Sequence, residues 1–347
     1  MPNNLPTQQR KGEMSEREED IERLVDPRES EDETVVNLSL RPQMLDDFIG
    51  QRDVVEPMQV ALTAAKQRGD TLEHVLLSGP PGLGKTTLAY IIGHELGVKV
   101  VSTSGPAITR AGDLVGTLTN LGTNDILFID EIHRLNRTVE EFLYSAMEDF
   151  QIDFMVDKGP FAKTIKFTLK PFTLIGATTR EGLLSAPMRG RFGLGLHYDF
   201  YRAEDLAEIV RRSAKKLEIE LSDDAANEIA VRSRGTPRVA NRMLRRVRDF
   251  AQVKGNGTID LDIALKAATF LKVDALGLDE LDRKYMRALR DVYKGGPAGV
   301  EAIAATLSEE VDTLVDVVEP FLLKIGFLQR TQRGRALTDV AVRHLEK

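Results

Sequence analysis

The eight residues Gly79-Pro80-Pro81-Gly82-Leu83-Gly84-Lys85-Thr86 constrain this chain more than any other stretch, because they fit G-x-x-x-x-G-K-[ST]. Glycines at these spacings let backbone N–H groups turn inward and cradle phosphate oxygens. Such a loop works only when a buried strand delivers it and a helix N-terminus follows, adding partial positive charge. Both flanks have that character. His74-Val75-Leu76-Leu77 is an apolar run with strand character, and the spacing predicts a helix from about Lys85 to Leu96. Lys85 then reaches for the β- and γ-phosphates of ATP and the Thr86 hydroxyl for Mg²⁺, with Gly82, Gly84 and Thr87 completing the cradle.

Hydrolysis at such a cradle needs acids beside it. Ile126-Leu127-Phe128-Ile129 runs directly into Asp130 and Glu131. A carboxylate at a strand's C-terminal end faces the crevice where open α/β sheets bind ligands. Asp130 suits Mg²⁺ held through water, and Glu131 suits the attacking water. His133 reads equally well as an ordinary residue at a helix start. Phe172-Thr173-Leu174-Ile175 predicts a further strand running on to Thr178 and Thr179, either of which could sense a γ-phosphate. Phosphoryl transfer also needs cations around the developing charge. Arg191, held between Gly190 and Gly193, can project from a tight loop, and Arg238 opens a long helix after Gly235-Thr236-Pro237.

Val98–Ser102 predicts one more strand. Buried-strand runs separated by helical segments imply a parallel sheet covered on both faces. The expected architecture is therefore an α/β P-loop core, followed by an all-helical lid and a C-terminal winged-helix domain. The domains are expected at 37–201, 202–275 and 276–347. In the last of these a helix at Leu278–Tyr293, helical spacing from Val311 to Ile325, and a hairpin around Thr331–Gly334 follow in winged-helix order. Asp153–Phe172 predicts a hairpin about Lys158-Gly159-Pro160.

The net charge of −7 disfavours a nucleic-acid partner only until it is divided. Residues 1–36 carry 5 Lys/Arg against 11 Asp/Glu, so this tail holds nearly all of it. Its composition predicts disorder, with a short helix near Arg17–Leu24 at most. Residues 320–347 hold six Lys/Arg against two acids, and Arg330, Arg333 and Arg335 crowd one wing, as phosphate contact requires. With no cysteine, disulfide frameworks, zinc–thiolate sites and thiol catalysis are excluded. No stretch approaches the roughly 18 apolar residues of a membrane span, and the first twenty residues are too polar for a signal peptide. A soluble cytoplasmic protein is expected.

Together these motifs resemble the AAA+ ATPases and, among them, the RuvB family of bacterial Holliday-junction branch-migration motors. The resemblance runs from about Leu38 to the C-terminus. It rests on RPQMLDDFIGQ, SGPPGLGKTTLA, SGPAITRAGDL, LFIDEIHRLN, LIGATTREGLLSAPMRGRFG, RGTPRVANRMLRRVRD and GFLQRTQRGR, in family order. The tail is longer than the family usually carries. The resemblance implies Lys85 and Thr86 as the Walker A pair, Asp130 and Glu131 as Walker B, Thr179 as sensor 1 and Arg238 as sensor 2. It implies Arg191 as an arginine finger inserted into a neighbouring subunit's site. Leu40 and Arg41 would flank the adenine, Tyr201 would lie near the base, and Glu148, Asp149 and Phe150 near nucleotide. It further implies a homohexamer, two of which flank a junction held by a RuvA tetramer, with the RuvC resolvase in the larger complex. The Asp153–Phe172 hairpin would meet RuvA, and Arg330 and Arg335, with Arg333, would meet duplex DNA. Recombination, DNA repair and the SOS response are the implied setting. A clamp-loader-like ATP switch is the competing enzyme reading, and a non-catalytic winged-helix regulator the competing binding reading.

Overall fold

The computed structural model describes residues 39–155 and 164–346. The acidic tail, the helix expected at Arg17–Leu24 and the hairpin tip Lys158-Gly159-Pro160 lie outside them. The chain divides into two compact units, Pro42–Arg202 and a second from Ala203 onward that includes residues 39–41.

The first unit is built on a five-stranded sheet. Its strands are β1 (Val75–Ser78), β2 (Val100–Ser104), β3 (Ile126–Asp130), β6 (Thr173–Thr178) and β7 (Leu194–His197), in the order β2-β3-β6-β1-β7. Every pairing is parallel. The three central strands are apolar runs because both their faces are covered. Val75, Leu77, Ile126, Phe128, Ile175 and Ala177 face one core with α1 (Arg52–Arg68) and α2 (Lys85–Leu96). Leu76, Leu127, Ile129 and Leu174 face the other with α3 (Ala111–Thr119), α4 (Arg137–Glu148) and the short α5 (Ala186–Arg189). β4 (Gln151–Met155) and β5 (Thr164–Thr168) pair antiparallel, Gln151 opposite Thr168, forming the base of the expected hairpin. Ile165 and Phe167 are exposed on it.

The second unit begins with α6 (Ala203–Lys216), α7 (Asp223–Val231), α8 (Pro237–Lys254) and α9 (Leu261–Phe270). Each of α7, α8 and α9 starts where a side-chain oxygen accepts from an otherwise unpaired N–H: Ser222 from Ala225, Thr236 from Val239, Asp260 from Ile263. Pro237 sits at the start of α8, where its missing N–H costs nothing. Then come α10 (Glu280–Arg287), which runs into a π turn, α11 (Val300–Leu307), α12 (Val311–Thr313), a second π turn and α13 (Glu319–Lys324). β8 (Leu328–Thr331) and β9 (Gly334–Leu337) form the wing, Arg335 also bridges to Ala298, and α14 (Asp339–Leu345) closes the chain.

Candidate functional site

The P-loop lies where β1 hands over to α2. Gly79, Gly82 and Gly84 have φ of 132°, 80° and 105°, a region that other L-residues rarely adopt. A Cβ at Gly79 would collide with the Tyr198 carbonyl oxygen, and one at Gly84 would lie 3.0 Å from Phe48 Cζ. The close approaches therefore demand glycine as much as the dihedrals do. Lys85 is buried, its ammonium donating to the carbonyls of Gly79 and Pro80 at 2.7 and 2.8 Å. Those bonds hold the lysine charge inside the loop's own curve.

β3 lies next to β6 in the sheet, so the residues that follow β3 meet the threonines at the end of β6: Glu131 meets Thr179 and His133 meets Thr178. The Thr86 hydroxyl lies 3.5 Å from Asp130 Oδ2, while Asp130 Oδ1 accepts from the Glu131 N–H at 3.0 Å. Glu131 itself takes a left-handed backbone conformation, φ 49°, at the strand end. Its Oε2 accepts from the Thr179 hydroxyl at 3.2 Å and lies 3.3 Å from His133 Nδ1. Thr178 is fully buried. Its hydroxyl shares a hydrogen bond with His133 Nδ1 at 2.9 Å and accepts from the Arg180 N–H. The histidine that the pattern left undecided is thus a buried member of the acidic cluster. Its ring joins β6 to the turn after β3, a relation invisible from spacing.

Tyr201 donates to the Leu83 carbonyl at 3.2 Å, tying the unit's last residues to the P-loop. Neighbouring Tyr198 is wholly buried, and burial raises its phenol well above the ordinary value. In the second unit, Leu40 is buried, and the carbonyls on either side of it accept from Lys216. Arg238 is exposed on the first turn of α8.

Arg191 and the Glu148–Phe150 turn lie away from the P-loop of their own unit. Phe150 packs on His74 and Phe172, which precede β1 and β6. It therefore lies at the end of the sheet opposite the P-loop. Arg191 precedes β7 and is at that end too. Its guanidinium donates to Glu148 Oε2 at 3.0 Å and to the Pro187 carbonyl at 2.8 Å, and lies 4.3 Å over the Tyr144 ring. Tyr144 is itself held by Glu140 and Ser185. Burial lowers His74, whose Nδ1 accepts from Leu174 while Nε2 faces the Met147 carbonyl; the neutral ring pins the end of α4 to β6. The arginine finger candidate and the Glu148–Phe150 turn thus share a face one strand-length from their own P-loop.

The wing places Arg330 directly across from Arg335. Both are ion-paired to Glu319, a fully buried carboxylate at the start of α13. Arg333 is exposed at the turn. Glu319 was missed because its spacing from the wing carries no motif.

A P-loop between strand and helix, with acids on the adjoining strand and a parallel sheet, followed by a helical lid and a winged helix, defines a nucleotide-binding ATPase of the AAA+ class. Three family models cover nearly all of it. The Holliday junction DNA helicase RuvB P-loop domain matches residues 40–198, the RuvB AAA lid domain 201–274, and the RuvB C-terminal winged helix domain 275–346. The chain belongs to the RuvB family and is an ATP hydrolase. It is 57% identical over 324 residues to the Holliday junction branch migration complex subunit RuvB of Dehalococcoides mccartyi, covering 93% of each chain. The Thermotoga maritima RuvB Holliday junction branch migration motor superposes with a TM-score of 0.82 at 52% identity, covering 89% of this chain and 98% of that one. A mutant of the same protein gives 0.83 at 52%, covering 88% and 98%. Among the described residues, no helix is long and apolar enough to cross a membrane.

Proposed function

We propose that this chain is the ATP-driven motor of Holliday-junction branch migration, working as a homohexamer with a RuvA tetramer and, in the larger complex, RuvC. The observation that carries the ring is the separation of Arg191 from its own P-loop. A finger at the opposite end of the sheet completes a site only in a neighbouring subunit, which makes hydrolysis conditional on assembly. Glu148, Asp149 and Phe150 share its face and would meet that same neighbour's nucleotide.

Within one pocket, Lys85 exchanges its two loop carbonyls for β- and γ-phosphate oxygens. Glu131 orients the attacking water, and Thr179, already bonded to Glu131, reports the γ-phosphate to it. Thr86 and Asp130 supply one hydroxyl and one carboxylate 3.5 Å apart. That donor set fits Mg²⁺, which keeps several waters and takes its other ligands from phosphate. Bound there, the ion would neutralise charge between the β- and γ-phosphates. Tyr201, Leu40 and Arg41 are assigned to the base, and Arg238 to the lid's cation. Arg330, Arg335 and Arg333 are assigned to duplex phosphates, a mode without base readout that suits movement along any sequence. The winged helix disfavours a clamp-loader-like switch.

A junction-migration assay tests the whole reading. Full-length protein with ATP should convert a synthetic four-way junction to duplex products, much faster with RuvA than without. ATP-dependent junction binding without strand movement would leave a switch instead of a motor.

A further inference from the structure

Glu319 is not on the wing, yet it organises the wing's charge. Its carboxylate has no solvent exposure and receives three partners. Tyr285 donates to Oε1 at 2.9 Å. Arg335 Nε donates to Oε1 at 2.9 Å, and its Nη2 lies 3.4 Å from Oε2. Arg330 places both Nε and Nη2 on Oε2, at 2.9 and 2.6 Å. Each guanidinium therefore turns its Nε–Nη2 edge to Glu319, which leaves its Nη1 on the edge away from the carboxylate. The Arg330 side chain remains 47% exposed and that of Arg335 20%.

We propose that Glu319 is a positioning residue for nucleic-acid contact, holding Arg330 and Arg335 side-on so that their outer guanidinium edges form one preset phosphate clamp. This rests on the reading that these two arginines meet duplex phosphates. The antiparallel register sets the pair directly opposite each other. Like charges so placed repel, and they would splay apart without an anion between them. A buried carboxylate is itself costly unless paired and fully hydrogen-bonded, a requirement the two arginines and Tyr285 meet. Burial and the Glu319 charge both raise Tyr285, keeping its hydroxyl a donor. The side-chain freedom lost on gripping a phosphate is already lost in the free protein.

Positioning and simple charge cancellation predict opposite signs. If Glu319 only offsets positive charge, removing it strengthens DNA binding and steepens the salt dependence. If it sets geometry, removing it weakens binding although the wing becomes more positive. The experiment is fluorescence anisotropy of a labelled duplex against the full-length protein across a salt series, with melting temperatures as a folding check. Glu319→Gln should bind about tenfold more weakly at intermediate salt, the scale of one lost arginine–phosphate geometry. Unchanged or tighter binding by folded Glu319→Gln overturns the proposal. Should that variant fail to fold, Tyr285→Phe keeps both ion pairs and drops one tether. Its binding should weaken roughly two- to threefold, by less than a full hydrogen bond's worth, and wild-type binding would overturn the proposal. The double variant Arg330→Ala with Arg335→Ala separates the two layers. Wild-type affinity there refutes the phosphate reading itself, and the clamp with it.

Discussion

Thr178 and Thr179 are adjacent, yet their hydroxyls have different work. Thr178, the last residue of β6, faces His133, while Thr179, just beyond the strand, bonds Glu131. Hydrolysis should therefore be more sensitive at Thr179 and folding more sensitive at Thr178. Thr179→Val should slow single-turnover ATP hydrolysis roughly tenfold, since a hydrogen bond to a charged group contributes about 1.5–3 kcal/mol. Thr178→Val should instead destabilise the core by about 1–3 kcal/mol, by removing the hydroxyl that bonds His133 Nδ1 and accepts from the Arg180 N–H. Glu131→Gln should bind ATP and turn it over roughly a hundredfold more slowly, as loss of a positioned base does. Rapid turnover by Glu131→Gln would remove it from the role of water-positioner. The sequence made both threonines candidates because strand-end position is a pattern. It could not choose between them, because the choice depends on which neighbour each side chain faces.

Among the elements, the join between lid and winged helix shows what a linear pattern hides. Arg234 is buried in the turn before α8. It pairs with Asp282 at 2.9 Å, donates to the Val317 carbonyl and stacks on Phe321 at 5.2 Å. Asp282 also closes the capping box of α10 with Asp279. Burial pushes its carboxyl up to about 7 against the pull of Arg234, and its Oδ1 has no partner among the described residues. The folded state then holds a proton that the unfolded chain releases near 3.8. Stability from this group is full below about pH 4 and is lost as pH rises through about 7, by up to roughly 1.4 kcal/mol per pH unit. Thermal unfolding between pH 5 and 8 should show that decline, and Asp282→Asn should flatten it. A decline of the same slope in Asp282→Asn would assign it to another group. Long helices such as α8 were readable from periodicity. The four-residue β7 and the closing α14 were not, because Leu194-Gly195-Leu196-His197 offers too short a run and α14 buries only Ala341 fully.

For the whole molecule, the decisive geometry is that Arg191 and the P-loop occupy opposite ends of one sheet. Two inactive variants should then rescue each other. Lys85→Ala lacks a working cradle but presents a sound finger, and Arg191→Ala the reverse. Mixed before assembly, they form interfaces at which an intact P-loop faces an intact finger. ATPase activity of the mixture should exceed that of either variant alone, an arginine finger contributing about 10³–10⁵ in rate. No recovery in mixed rings would place the finger's action within its own subunit. Charge belongs to this scale as well. The net −7 is dominated by residues 1–36 and says little about the basic wing.

The sequence by itself determined the chemistry: a phosphate cradle, a strand ending in acids, and the order of core, lid and winged helix. These are local or periodic, and backbone geometry enforces them residue by residue. Tertiary structure alone decided which groups meet. It put His133 in the acidic cluster, Arg191 with Glu148 away from the P-loop, and Glu319 between two arginines that lie 11 and 16 residues further along the chain. The physical reason is that a buried charge or hydroxyl must find a partner through space, and sequence distance places no limit on where that partner lies.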